Sequence, residues 1–309
     1  MSDEPVIIRD KAAMRSWSRS KRYSHGETLI LALVPTMGFL HQGHLSLIQE
    51  AKKHAQLVVV SIYVNPGQFS PSEDLSTYPS DFQGDLRKLV EIGGVDAVFC
   101  PLNLYETTPS GLDLGRDFEE KAVSCVDGRG GHESWVRVER LEKGLCGKSR
   151  PIFFRGVATI VAKLFNIVEP DVAVFGKKDY QQWRIIRRMV HDLDFPINII
   201  GSEIMRDPDG LAMSSRNVHL SAEEREKALS ISQSLSKAKH NVQNGQHSCR
   251  ELKKLVIQEI TEAGGRIDYA EVVDQESLEP VDVIKCPVVF CVASWFGKVR
   301  LIDNIEINL

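Results

Sequence analysis

Five short apolar, β-branched runs punctuate the first two-thirds of the chain: Leu29–Val34, Leu57–Val64, Val95–Cys100, Asp171–Phe175 and Ile197–Ile200. Helical periodicity fills intervals between them at about residues 44–55, 80–92, 156–167 and 178–192. Strands alternating with helices imply βαβ units, and repeated units of that kind imply a doubly wound parallel sheet. Right-handed crossovers then collect the strand C-termini on one edge, where ligands of such sheets bind. The chemistry is therefore expected in the loops that follow the apolar runs.

Beyond Gly201 the texture changes. Ser221 with Glu224, and Ser248 with Glu251, have capping-box spacing ahead of charged amphipathic helices, with Asn241–Ser248 as the loop between them. Strand-like runs follow at Ile267–Val273, Val288–Ala293 and Val299–Ile302. The expected organisation is a larger α/β domain over residues 1–201 and a smaller α+β domain over 202–309. Residues 103–135 are polar, glycine-rich and weakly periodic, which fits an inserted loop, an oligomer contact or partial disorder alike.

Composition removes several classes of function. A formal net charge of −4 argues against a nucleic-acid or membrane-surface binder, which relies on a basic face. Six cysteines (Cys100, Cys125, Cys146, Cys249, Cys286 and Cys291) have no C-x-x-C pair, so neither a zinc signature nor a dense disulfide framework is visible. Reduced thiols in the cytosol are the expected state. The N-terminal stretch MSDEPVIIRDKAAMRSW has no apolar core of a secretory signal, and no apolar run reaches the roughly 18 residues of a spanning helix.

Four polar clusters follow apolar runs. In PTMGFLHQGH (Pro35–His44), Gly38 and Gly43 permit tight backbone, and a helix is predicted to begin near His44. His41 and His44 then lie beside a helix N-terminus, whose unpaired N–H groups and dipole favour anions. Alone, the pair leaves a phosphate clamp, an acid/base pair, a metal site and a plain polar loop open. The metal is the weaker reading, since no third ligand has recognisable spacing. VNPGQF brings Asn65 and Gln68, amides suited to hydroxyl and carboxylate groups. In FGKKDYQQW, Gly176 allows close approach of a ligand, Asp179 is placed to cap the next helix, and Gln182 lies further along it. Lys177 and Lys178 at that helix start oppose the dipole, a conflict a bound anion would resolve. Finally, GLAMSSRNVHLS sets Ser214, Ser215 and Arg216 together, two hydroxyls and a guanidinium fork that fit phosphate oxygens. Its place near the domain boundary suggests a lid.

In this order, PTMGFLHQGH, VNPGQF, FGKKDYQQ and MSSRN resemble the pantothenate synthetase (pantoate–β-alanine ligase) family of HxGH nucleotidyltransferases. The resemblance runs from Leu29 to Pro101 and from Leu145 to Ser221, and more loosely through the C-terminal third. It implies a Rossmann-like sheet and a two-step reaction. ATP and (R)-pantoate give a pantoyl adenylate and pyrophosphate, assisted by Mg²⁺; the β-alanine amine then attacks, giving pantothenate and AMP. Met37, Gly38, Phe39, Leu40, His41, Gln42, Gly43 and His44 would wrap ATP, with His44 as proton donor and His41 on the phosphates. Gly176, Lys177, Lys178, Asp179, Met213, Ser214, Ser215 and Arg216 would complete the nucleotide site, and Met205 would contact adenine. Gln68 and Gln182 would hold pantoate, with Gln68 also near β-alanine and with Asn65 and Tyr78 as secondary contacts. Asp85 falls where a carboxylate for magnesium is expected. The catalytic set is thus His44, His41, Lys178, Ser214, Ser215 and Arg216.

Two departures stand out. In SRPIFFRGVAT, Phe153 occupies the place of an expected histidine, so no role transfers to it. The segment 103–135 exceeds the usual family loop, and because family members are commonly homodimers it is expected to form or tune a dimer. Two competing readings share the motif: another HxGH cytidylyl- or adenylyltransferase, and a noncatalytic nucleotide-binding regulator.

Overall fold

The computed structural model describes residues 4–24, 27–70, 73–105 and 132–308. The chain runs through β1 (Val6–Ile8), α1 (Lys11–Arg22), a short antiparallel pair β2 (Tyr23–Ser24) and β3 (Glu27–Thr28), then β4 (Leu31–Thr36), α2 (Gln42–Ala51) and β5 (Leu57–Ile62). Next come α3 (Phe82–Ile92), β6 (Ala97–Phe99), α4 (Leu145–Ser149), α5 (Phe153–Val168), β7 (Val172–Gly176), α6 (Tyr180–Asp192) and β8 (Asn198–Ser202). The last third holds α7 (Ala222–Gln243), α8 (Cys249–Glu262), β9 (Arg266–Asp274), β10 (Val288–Phe296) and β11 (Val299–Ile307).

Six strands form one sheet in the order β1-β6-β5-β4-β7-β8, and every neighbouring pair is parallel. Alternation along β4 explains its burial: Leu31 and Leu33 point to the layer containing α5 and α6, Ala32 and Val34 to the layer of α2 and α3. All four are fully buried, as a doubly covered strand requires. From β4 the chain steps outward through β5 and β6, then returns to place β7 and β8 on the other side of β4. The crevice between the C-termini of β4 and β7 is the point where strand order reverses, the usual binding position of such a Rossmann-like sheet.

The smaller sheet is antiparallel, in the order β11-β10-β9. Ala270, Val272, Phe290 and Val292 pack with α7 and α8 in a core of their own. Val273, Val289 and Cys291, on the opposite face, merge with the core beneath the parallel sheet. The C-terminal third is therefore seated on the first by buried apolar surface.

The anticipated strands and helices form with ends shifted by a few residues, and β10 and β11 extend beyond the predicted runs. Elements β1, α1, β2, β3 and α4 were not anticipated. The Ser221 box closes reciprocally: Ser221 Oγ accepts from Glu224 N at 3.2 Å, and Glu224 Oε2 accepts from Ser221 N at 2.8 Å. The Ser248 side chain makes no such cap. That residue is drawn into an antiparallel bridge with Val283, and its amide donates to Gln246 Oε1. Most of the polar segment, residues 106–131, lies outside the described residues. Of the cysteines, the five described are unbridged, and Cys125 lies outside. Among the described residues, no helix is long and apolar enough to cross a membrane.

Candidate active site

A cavity of about 280 Å³ opens at the reversal point and collects residues from all four sequence clusters. The C-terminal third contributes Met205, Met213, Ser214, Ser215 and Arg216 on one side and β11 residues beneath.

The two histidines cap their own helix. α2 starts at Gln42, two residues before the predicted start, so His41 is its N-cap and His44 its third residue. Gly43 N donates to His41 Nδ1 at 3.1 Å, and His41 N donates to His44 Nδ1 at 3.3 Å. Backbone amides can only donate, so both Nδ1 atoms are bare and each neutral ring carries its proton on Nε2. The rings lie 4.1 Å apart between centroids. Burial lowers the His41 pKa to about 4, helped by the Lys178 charge. For His44, burial followed by the His41 and Lys178 charges gives about 3. At neutral pH the pair is thus two uncharged N–H donors at a helix N-terminus. Without ligand, His44 is therefore a hydrogen-bond donor through Nε2–H rather than an imidazolium.

The loop ahead of the helix is held in an uncommon conformation. Gly38 has φ +87° and Phe39 φ +50°, and a left-handed residue with a side chain needs local support. Asp85 supplies it. Its Oδ2 accepts from Phe39 N at 2.7 Å and its Oδ1 from Leu40 N at 2.6 Å. At 1% exposure, with both oxygens engaged, it does not fit the expected magnesium ligand. Among the described residues, no group of three or more His, Cys, Asp or Glu side chains converges as a metal site.

The adjacent lysines diverge. Lys178 faces the cavity, whereas Lys177 Nζ is bound by Glu203 Oε1 at 2.6 Å and Glu306 Oε2 at 2.9 Å. Lys177 is thereby a tie between β7 and β11 rather than a nucleotide contact. Asn304 of β11 donates to the carbonyls of both lysines at 2.9 and 3.0 Å, fixing the turn that aims Lys178. Asp179 sits at the N-cap position of α6 but its side chain makes no cap bond; its carboxylate lies 3.7 Å from Lys178 Nζ.

Opposite, Met205 and Met213 are joined by a backbone hydrogen bond of 3.0 Å across a tight turn. Both residues line the cavity. Ser214 Oγ accepts from Arg216 N, and Ser215 Oγ donates to Phe39 O at 3.2 Å, tying this loop to the histidine loop. Arg216 is not free: its fork holds Asp74 through bonds of 2.8 and 3.1 Å, above the Tyr78 ring. Sequence reasoning missed Arg150 beside it. Arg150 donates to Glu73 and stacks 3.8 Å over the Phe153 ring, so Phe153 serves as a platform in the cavity wall.

Asn65 spends its amide on the protein. Oδ1 accepts from Gly67 N at 3.3 Å and from the Tyr105 hydroxyl at 2.8 Å; Nδ2 donates to Gln68 Oε1 at 2.9 Å and to Gly156 O at 3.2 Å. Asn65, expected as a secondary substrate contact, lines the cavity with its amide engaged in this buried brace. Gln68, Tyr78 and Gln182 do line the cavity. Leu40 and Gln42 face a neighbouring cleft, while Gly38 and Phe39 contribute loop backbone.

A family model described as pantoate-beta-alanine ligase matches residues 6–306. The pantoate–β-alanine ligase of Lotus japonicus is 68% identical over 309 residues, covering 99% of each chain. The crystal structure of pantothenate synthetase from Thermus thermophilus is similar with a TM-score of 0.83 at 35% identity, covering 98% of this chain and 100% of that one. The pantoate-beta-alanine ligase of Francisella tularensis, solved in complex with beta-gamma ATP and beta-alanine, gives 0.70 at 30% identity over 97% of each chain.

Proposed function

Because the chain belongs to the pantoate–β-alanine ligase family, we propose that it joins pantoate to β-alanine using ATP, through a pantoyl adenylate with release of pyrophosphate and then AMP. The observation that carries this reading is the reciprocal histidine cap, which leaves two neutral Nε2–H donors at a helix N-terminus in the cavity.

In the first step a carboxylate oxygen of pantoate attacks the α-phosphorus and pyrophosphate departs. Both reactants are anionic, so the site must supply positive potential where charge accumulates. His41, His44, Lys178, the Ser214 hydroxyl and the N-terminus of α2 are fixed before any ligand arrives, which is how such donors act most strongly. Gln68 and Gln182 hold pantoate, and Met205 and Met213 flank the base. Arg216 joins the phosphates by exchanging Asp74 for them. In the second step the β-alanine amine attacks the acyl carbonyl, AMP leaves, and the amine proton passes to solvent. Enclosure by the C-terminal third, acting as a lid over residues 202–309, favours the amine over water as nucleophile.

Magnesium, on this reading, arrives with the polyphosphate, as it commonly does, and no step is assigned to a metal held by this chain. The reading also includes a cytosolic homodimer, which light scattering tests directly. Pantoate-dependent exchange of pyrophosphate into ATP, with β-alanine absent, tests the chemistry. Exchange that requires pantoate supports the adenylate. No exchange, or a product that retains the nucleotide, overturns it.

A further inference from the structure

We infer that Tyr105 is a positioning residue for pantoate: it braces Asn65, whose amide polarity, fixed by Gly67 N–H and the Gly156 carbonyl, decides which end of the Gln68 amide faces the cavity. This rests on the reading of Gln68 as a pantoate ligand.

The polarity of the chain of bonds is not arbitrary. A side-chain amide can present oxygen or nitrogen in either direction, and only its partners decide. Asn65 has two backbone partners of fixed character. Gly67 N–H must meet an acceptor, which places Oδ1 there, and the Gly156 carbonyl must meet a donor, which places Nδ2 there. The Tyr105 hydroxyl adds the shortest bond of the set, 2.8 Å to Oδ1. Nδ2 then faces Gln68 and requires Oε1 in return, at 2.9 Å. What remains of Gln68 is its NH₂, with no partner among the described residues, on a residue that lines the cavity. An NH₂ donor suits the carboxylate or hydroxyl oxygens of pantoate; the reversed amide would present a carbonyl oxygen to an anion.

Tyr105 is itself fixed from several directions. It is 1% exposed, its ring stacks on Trp135 with centroids 5.8 Å apart, and the His132 ring meets it edge-on at 4.9 Å. Lys163 Nζ lies 5.2 Å over the ring centre. Tyr105 N donates to Asn103 Oδ1 at 2.7 Å. Both described ends of the polar segment 103–135 therefore converge on this phenol. The phenol is packed tightly against the Gly67 backbone, where an added Cβ would meet Tyr105 Oη at 2.9 Å.

Tyr105→Phe keeps the ring and removes the hydroxyl. The expected result is a pantoate KM raised about fivefold to tenfold, the size of one neutral hydrogen bond, with the ATP KM unchanged. In a Gln68→Ala background the same substitution should add nothing, since its effect passes through Gln68. Asn65→Asp should be worse, because a carboxylate facing Oε1 forces Gln68 to turn its carbonyl toward the substrate; this variant leaves Tyr105 in place should Tyr105→Phe fail to fold. An unchanged pantoate KM, an equal rise in the KM for ATP, or additivity with Gln68→Ala overturns the assignment. Gln68→Ala with an unchanged pantoate KM overturns the underlying reading instead.

Discussion

The two walls of the cavity hold their charge-stabilising groups in opposite ways. On the histidine wall the donors are neutral and are locked by the protein's own backbone: His41 and His44 accept amides through Nδ1, and Asp85 pins the loop ahead of them. On the arginine wall the groups are permanently charged and are held by neighbouring carboxylates. Asp74 binds Arg216 and Glu73 binds Arg150. On the proposed mechanism the first wall needs no rearrangement to meet a polyphosphate, so its donors would act at full strength from the outset. On the same proposal the second would trade one anion for another, and its net contribution would be the difference between two ion pairs. A fully formed positive site would have to remain stable without ligand; pairing the arginines with acids removes that difficulty.

The comparison is broken most directly at His44. His44→Ala removes a fixed donor and the reciprocal half of the α2 capping box, leaving the His41 cap in place, and it should lower pantoate-dependent exchange by about 10²–10³-fold, corresponding to about 2.7–4 kcal/mol. Near-normal exchange would mean that the locked wall is scaffolding. The lysine pair gives the next contrast. Lys178→Ala should cost about a hundredfold in kcat/KM by the same reasoning. Lys177→Ala should stay within a few-fold in kcat/KM, because its ammonium serves Glu203 and Glu306; its loss should appear as a lower Tm. If the two variants exchange these phenotypes, the turn is aimed the other way.

Much of this frame was legible from the chain. Leu31–Val34 is too apolar to be other than a strand covered on both faces, and the four clusters after such runs do converge on one cavity. What could not be read was the destination of each polar group. Adjacent Lys177 and Lys178 look equivalent in sequence, and only the position of Glu306 and Asn304 on β11 separates them. Likewise Asp85 resembles a metal ligand until the left-handed Phe39 reveals two amides in need of an acceptor. The elements β1 and α1 were missed for a simpler reason. A three-residue strand carries too little pattern, and the cap formed by Asp10 on Ala13 N lies amid charged residues.

Acid should distinguish the walls without mutation. Burial holds His41 at about 4 and His44 at about 3, below the ordinary 6.5. Between those values and 6.5 the unfolded chain binds more protons than the folded one, so stability rises with pH across that window. The contribution is complete above pH 6.5 and is lost as pH falls through the folded values. Tm measured between pH 7 and pH 5 should therefore drop more in the wild type than in His44→Asn. Nuclear magnetic resonance should find both rings neutral, with the proton on Nε2, down to pH 5. Titration of either ring near 6.5 would break the claim that this wall is neutral. Bound pyrophosphate should raise both values, because its charge favours the imidazolium.

The smallest effect is expected at Asp74, and it bears on the other half of the comparison. Asp74→Asn leaves Arg216 stacked 5.4 Å over the Tyr78 ring but without its carboxylate. Side-chain exposures of 29% and 37% put the pair among partly solvated bridges, which are worth about 0.2–1 kcal/mol. If Asp74 competes with phosphate for the fork, its removal should lower the ATP KM by about twofold to fivefold, with kcat little changed. An ATP KM that rises instead would make Asp74 the residue that aims Arg216. In that case both walls would be organised before the nucleotide arrives, and the exchange of anions on the arginine wall would not occur.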